Sequence, residues 1–364
     1  MIPLVQPLFG AEEKKILMEI VESRILASGR YVKKFEEECA SYFNTNYAVA
    51  VSSGTTALHA ALLACGIKPG DKVLTTPFSF IATANSILFC NAKPVFADID
   101  PQTYNLSPAE TERILKKEKN IKAVIVVHLY GMPADMGAFL RLQKKYKFAL
   151  IEDCAQSHGA LYQGKMTGSF GDASTFSYYA TKNASTGEGG TVHTNSKRID
   201  GLVRQIINHG RAGHSTHTIL GYNFRLTNLA AGIGIVQLKK LNDWNKARIS
   251  NARYLSEHLK DVEFIQTPFI PEYAKPVFHQ YTVRVPAALR ERFMKHLTDS
   301  GVGCGIYYPC AIHRQPLYQK LGYKRGLCPQ AEKASQEVLS LPVHPALKQN
   351  DLKKIVDVIK SFKK

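Results

Sequence analysis

The chain has no long hydrophobic run, a single tryptophan, no closely paired cysteines and no glycine fingerprint for a dinucleotide, and each absence removes a class of function. Its longest apolar stretches, such as residues 123–127, fall far short of the ~20 residues that a membrane-spanning helix needs, so no membrane partner is expected. The seven cysteines (Cys39, Cys65, Cys90, Cys154, Cys304, Cys310 and Cys328) are odd in number and form no Cys-x-x-Cys pair. That pattern argues for reduced, mostly buried thiols. His209, His214 and His217 have no carboxylate or cysteine at zinc spacing, so no metal is expected. The opening residues show neither a basic leader nor a small-residue cleavage site, and the protein is expected to be cytoplasmic.

What is present is a composition of globular type, with 45% hydrophobic and 21% charged residues. A chain of 364 residues exceeds one small core, so a large domain over residues 1–244 and a smaller one over 245–364 are expected. The formal charge of +17 raises nucleic-acid binding as a possibility. The lysines, however, lie in dispersed patches such as Lys116-Lys117-Glu118-Lys119, with no recognised binding motif, so no nucleic-acid partner is expected. A basic field equally suits a small anionic substrate, for instance one with a diphosphate.

Seven short β-rich runs recur between helix-length segments, at 48–52, 72–75, 94–98, 123–128, 148–152, 173–177 and 190–194. Their near-continuous apolar character is that of strands covered on both faces. The expectation is an α/β fold: a seven-stranded, mainly parallel sheet flanked by helices. A helix over 226–244 closes this unit. Beyond it, helices at 247–259, 288–300 and 331–339 with strands at 281–285 and 302–307 predict a smaller C-terminal α+β domain.

Open α/β sheets place their chemistry at strand ends. Lys182 stands at one such end, ahead of the turn Thr186-Gly187-Glu188-Gly189-Gly190, and Asp153 stands at another, in Ile151-Glu152-Asp153-Cys154. A strand-end lysine can form a Schiff base with an aldehyde, and a strand-end aspartate can hold a protonated ring nitrogen; pyridoxal phosphate requires both. The plain alternatives are a surface lysine and a helix N-cap. Ser52-Ser53-Gly54-Thr55-Thr56 follows a strand and opens an apolar helix, which suits a phosphate as well as a simple N-cap. Phe80 could lie flat over a heterocycle or belong to the core.

Taken together, Ser52 to Leu58, the Glu152-to-Ala160 run, Gly168 to Asp172, Thr181-Lys182-Asn183, Gly221-Tyr222-Asn223-Phe224-Arg225 and Leu341-Pro342-Val343-His344-Pro345 resemble the nucleotide-sugar aminotransferases of the DegT/StrS type. The resemblance runs from about residue 3 to 360, with the motifs in the same order. It implies an aspartate-aminotransferase-like fold and pyridoxal 5′-phosphate, cycling through pyridoxamine 5′-phosphate, as cofactor. Lys182 would bind the cofactor covalently and Asp153 would pair with its ring nitrogen. Gln156 would lie beside the ring, Phe80 would stack on it, and Gly54, Thr55 and Ser177 would hold the phosphate. Asn223 would reach the phosphate of a neighbouring subunit, which makes the protein a homodimer with shared active sites. Tyr308 and His313 would face the substrate.

The implied reaction moves an amino group from glutamate, leaving 2-oxoglutarate, to the keto sugar of a nucleoside diphosphate. One branch of this resemblance, the 3-dehydratases, replaces the lysine by histidine; this chain keeps Lys182. A basic regulatory or nucleic-acid-binding protein with a vestigial site is the alternative of another class. Two positions depart from the family pattern. Ala180 stands where proline is common, and the stretch from Tyr308 to His313 follows the family pattern only loosely, near the expected sugar pocket.

Overall fold

The computed structural model describes residues 1–363. The apolar runs assemble into one sheet: β1 (Tyr47–Val51), β2 (Lys72–Thr75), β3 (Lys93–Phe96), β4 (Ile121–Val127), β5 (Ala149–Asp153), β6 (Ala173–Ser177) and β7 (Gly190–Thr194). Their ends differ from the expected ones by at most two residues, the usual uncertainty of a strand end. The order across the sheet is β1-β7-β6-β5-β4-β2-β3. Only β7 runs antiparallel to its neighbours. The C-terminal ends of β1 and β6 therefore meet the beginning of β7, with Val51 and Ser177 both in register with Gly190.

Seven helices precede or flank these strands: α1 (Ala11–Ser23), α2 (Arg30–Tyr42), α3 (Gly54–Ala64), α4 (Ala82–Phe89), α5 (Pro108–Lys117), α6 (Met136–Tyr146) and α7 (Lys197–Ile206). Ala57, Leu58 and Ala61 of α3 and Val203 of α7 pack with Val49, Ile125 and Ile151 of the sheet. Leu115, Phe139 and Leu142 of α5 and α6 pack with Leu74, Val124 and Leu150. Neighbouring strand residues thus point to two separate cores, as a two-faced sheet requires.

One helix differs in extent from the expectation. In place of two helices, α8 runs unbroken over Asn228–Leu259, 32 residues. No proline or glycine interrupts residues 242–249, and Asn245 and Arg248 are buried and hydrogen-bonded at the expected domain boundary. The division at 244/245 falls inside this helix. Leu238 and Leu241 pack on the large unit, whereas Leu255 and Leu259 join the C-terminal cluster.

The C-terminal part comprises β8 (Tyr281–Arg284), α9 (Ala287–Asp299), α10 (Pro316–Lys320), α11 (Pro329–Glu337), β9 (Val338–Leu341) and α12 (Gln349–Lys360); β8, α9, β9 and α12 join that cluster, whereas Tyr318 of α10 and Ala331 and Ala334 of α11 pack with Phe78 and Phe96. β8 pairs antiparallel with β9. The expected strand at 302–307 is not formed; Val302 and Gly305 make only single bridges, to Ile2 and Ser340. The N-terminal segment occupies the space beside it so closely that a Cβ on Gly303 would lie 2.8 Å from the Leu4 amide nitrogen. Asp98, just past β3, ties the two parts together by accepting from the amides of Gln330 and Ala331 at 2.8 and 3.0 Å.

Glu152 fixes the C-terminal end of the central strand, β5. Its Oε1 accepts from the amides of Phe170 and Gly171, and its Oε2 from the amide of Gly168, each at 2.8 Å. His128 Nδ1 accepts from the Ala134 amide at 3.0 Å, so its proton is on Nε2 and is donated to Glu152 Oε2, also at 3.0 Å. Cys154 Sγ lies in the same group, within 4.8 Å of these ligand atoms. Every imidazole nitrogen and carboxylate oxygen there already has a protein partner, so the cluster reads as a structural knot. In Glu152→Gln either amide orientation sets an NH₂ group against two donors. Destabilisation by more than about 2 kcal/mol is expected in urea unfolding; an unchanged midpoint would show that the turn over 168–171 is held by other contacts.

Candidate active site

A cavity of about 650 Å³ opens at the C-terminal ends of β1, β5 and β6. Eight of the sequence-predicted residues line it: Gly54, Thr55, Phe80, Asp153, Gln156, Ser177, Lys182 and Tyr308. They arrive from segments spread over most of the chain, so the fold alone brings them together.

At the floor, Ser53 caps α3, its Oγ accepting from the Thr56 amide at 3.1 Å. The N-cap alternative is therefore real for Ser53. It leaves the amides of Gly54 and Thr55, the first two of the helix, without intrahelical partners at the positive end of the dipole. Ser177 ends β6 directly against Gly54; a Cβ on Gly54 would lie 2.7 Å from that of Ser177. Only glycine permits this approach. Two helix amides and a serine hydroxyl thus converge as an anion seat needs.

Asp153 is the last residue of β5 and is 4% exposed. Its Oδ2 accepts from Thr83 Oγ1 at 2.8 Å and its Oδ1 from the Ala155 amide at 3.1 Å. Burial nevertheless raises its pKa above the ordinary carboxylate range, because these bonds and the charge of Lys182 compensate only in part. Among the described residues no cation contacts the carboxylate. Gln156 is held at both ends, its Oε1 accepting from the Tyr130 amide at 2.6 Å and its Nε2 donating to the Tyr308 hydroxyl at 3.1 Å. Phe80 is 57% exposed, with its ring centroid 6.3 Å from that of Tyr308.

Lys182 follows β6 in a turn whose amide donates to the Tyr179 carbonyl at 2.9 Å. Its Nζ makes no hydrogen bond among the described residues. Burial lowers its pKa from 10.5 to about 8, opposed by the charge of Asp153. Asn183, beside it, is anchored to Asn245 of α8 at 3.0 Å. An amine of lowered basicity, an under-compensated carboxylate and unclaimed helix amides are the three partners that pyridoxal phosphate needs, for its aldehyde, ring nitrogen and phosphate. The residues fit the group.

Two predicted residues are not brought to the cavity. The side chain of His313 is fully buried, bonded through Nε2 to Glu332 at 2.8 Å and packed near Phe96, because the chain turns away after Tyr308. Asn223 is exposed and lies elsewhere on the surface. Its neighbour Arg225 is engaged at home, donating to Asn208 Oδ1 at 2.7 Å. Residues the sequence reading did not assign include Thr83, Asn183 and His279. Thr83 had a visible signal, a hydroxyl within the stretch 76–85 that follows a strand, whereas His279 had none.

Because Lys182 binds fewer protons folded than unfolded between pH 8 and 10.5, the cost of burying its ammonium is complete below pH 8 and is relieved as pH rises through that window. Ligand-free Lys182→Met should therefore be more stable than the native protein at pH 7, by about 1–3 kcal/mol. Thermal unfolding should show the gap closing toward pH 10.5; a gap independent of pH would mean that Lys182 is not desolvated.

A model described as the DegT/DnrJ/EryC1/StrS aminotransferase family matches residues 7–360. A protein of Geobacillus stearothermophilus named pleiotropic regulatory protein is 40% identical, over 96% of this chain and 94% of its own. The GDP-perosamine synthase of Escherichia coli O157:H7 is 36% identical, over 99% and 98%. Among solved structures, S. venezuelae DesV superposes with a TM-score of 0.94 at 31% identity, over 98% of both chains.

Proposed function

The chain belongs to the DegT/DnrJ/EryC1/StrS aminotransferase family and is a pyridoxal-phosphate-dependent aminotransferase, and from that premise we propose that it transfers the amino group of glutamate to a keto sugar carried on a nucleoside diphosphate. The observation that carries the reading is the presence of Lys182 and Asp153 in one cavity, the first without a hydrogen bond and the second without a contacting cation. Support for the sugar comes from relatives such as the GDP-perosamine synthase, and the basic surface suits a diphosphate. No helix of the described residues is long and apolar enough to cross a membrane.

Bound in the cavity, the cofactor would supply a protonated ring able to draw in the electron pair left on a substrate carbon. The chain's own residues do the rest. Gly54, Thr55 and Ser177 fix the phosphate, and Asp153 keeps a proton on the ring nitrogen. Lys182 Nζ, neutral in a useful fraction near its lowered pKa, takes a proton from the α-carbon of glutamate in one half-reaction and returns one in the other. Tyr308, held by Gln156, faces the substrate side.

Retention of Lys182 supports amino transfer over the 3-dehydration that the histidine branch performs. The name of the Geobacillus relative favours a second reading, a regulatory role, which salt-dependent DNA affinity in a colourless preparation would support. For the main reading, borohydride reduction of the yellow holoenzyme should place the phosphopyridoxyl group on Lys182 by peptide mass mapping. Asp153→Asn should retain cofactor yet lose about 10²-fold or more in turnover, since an amide cannot hold the ring protonated. Label elsewhere, or near-normal turnover in the variant, would reject these roles.

The same reading makes the protein a homodimer in which Asn223 serves the partner's phosphate. It is supported by the exposure of Asn223 outside its own cavity and by the exposed apolar Ile219 and Leu220 close before it. Mixing Lys182→Ala with Asn223→Ala subunits should rebuild one complete site per heterodimer, recovering toward half the native activity. Activity no higher than the parental average, in a sample shown to contain heterodimer, would put Asn223 in its own subunit's site or in none.

A further inference from the structure

Lys182 Nζ and His279 line the same cavity, and the lysine amine and the imidazole Nε2 both lack a hydrogen-bond partner among the described residues. The tautomer of His279 follows from its neighbours. Asn183 donates through Nδ2 to Asn245 Oδ1 at 3.0 Å and toward the Val277 carbonyl at 3.5 Å, which leaves its Oδ1 as an acceptor. Asn245 is oriented in turn by donating through Nδ2 to the His158 carbonyl at 2.7 Å. His279 Nδ1 therefore carries the hydrogen and donates it to Asn183 Oδ1 at 3.1 Å. Its Nε2 is left as a bare lone pair.

The ring is 8% exposed. Burial, followed by the charges of Lys182 and Arg248, pushes its protonation well below the ordinary histidine range, so it stays an acceptor near neutral pH. The backbone beside it is equally fixed: Arg248 Nη1 donates to the carbonyls of Phe278 and His279 at 3.3 and 3.4 Å. A rigid acceptor and an unclaimed donor thus share one space.

We propose that His279 Nε2 is the acceptor that holds the Lys182 amine through one bridging water whenever that amine is free, keeping it aimed at the reacting carbon while it carries a proton. This makes His279 a positioning residue, and it rests on Lys182 being the cofactor lysine. The other groups acting on Lys182 or sharing its cavity are Asp153 from β5, His158 from the loop after it, Glu188 from the loop before β7 and Tyr308 from the C-terminal part.

The test uses protein freed of cofactor, with pyridoxal 5′-phosphate as the probe, and follows the rate of its capture by absorbance against pH. In the native chain the rate should rise through about pH 8, where Lys182 loses its proton. His279→Leu removes the acceptor and keeps the burial, so the ammonium is less favoured and the midpoint should fall by about one unit. His279→Gln, which retains an acceptor oxygen, should return it to near the native value. A midpoint unmoved in His279→Leu, raised toward 10.5, or moved alike in both variants overturns the proposal. Should Lys182→Ala capture and retain the probe as the native chain does, the assignment of the cofactor lysine fails instead, which is a distinct result.

Discussion

The site depends on an alternation of two carboxylates along one strand. Glu152 and Asp153 are consecutive in β5, so their side chains leave the sheet by opposite faces. Glu152 meets four donors, which seat the turn over 168–171 and so deliver β6 in register to the strand beside it. Asp153 meets two. The first carboxylate is saturated and holds structure; the second retains unspent acceptor capacity in a buried place, where an opposite charge is worth most. Exchanging their surroundings would cost both the turn and the chemistry.

Burial sets the electrostatics around Lys182 in a consistent direction. His158 is driven to about 3 by desolvation, with the charge of Lys182 acting in the same direction, and His193 on β7 falls equally far through burial. Arg248, buried in α8 with only carbonyls for company, is lowered to about 10. In a chain with a formal charge of +17, the imidazoles that feel the charge of Lys182, His158 and His279, are thus neutral. Water-poor surroundings, in place of a nearby cation, account for most of the lysine's lowered basicity.

What could be read from the sequence was whatever is written locally. The seven strands are apolar runs of strand length, and Asp153 at the end of one and Lys182 in the turn after another both line the cavity, so the fold and two of its lining residues could be placed from neighbours in the chain. The capping of α3 by Ser53 was equally local. What escaped was decided by distant contacts. The unbroken α8 is stabilised by packing at both ends against separate clusters. The stretch at 302–307 has strand-like residues but loses its pairing to the N-terminal segment. His313, read as facing substrate, is claimed by Glu332, and the bond from Asn183 to His279 spans 96 residues.

Continuity of α8 also bears on how such an enzyme can change its substrate. A rod of 32 residues, roughly 48 Å long, joins the sheet to the C-terminal cluster, and bending it would break hydrogen bonds in its interior. Asp98 adds a second strut by capping α11 from the sheet side. The chassis is therefore stationary, while Phe80, Tyr179 and Glu188 stand on loops at the cavity with much of their surface in solvent. New specificities can be drafted on those loops, residue by residue, without renegotiating the frame that holds the lysine.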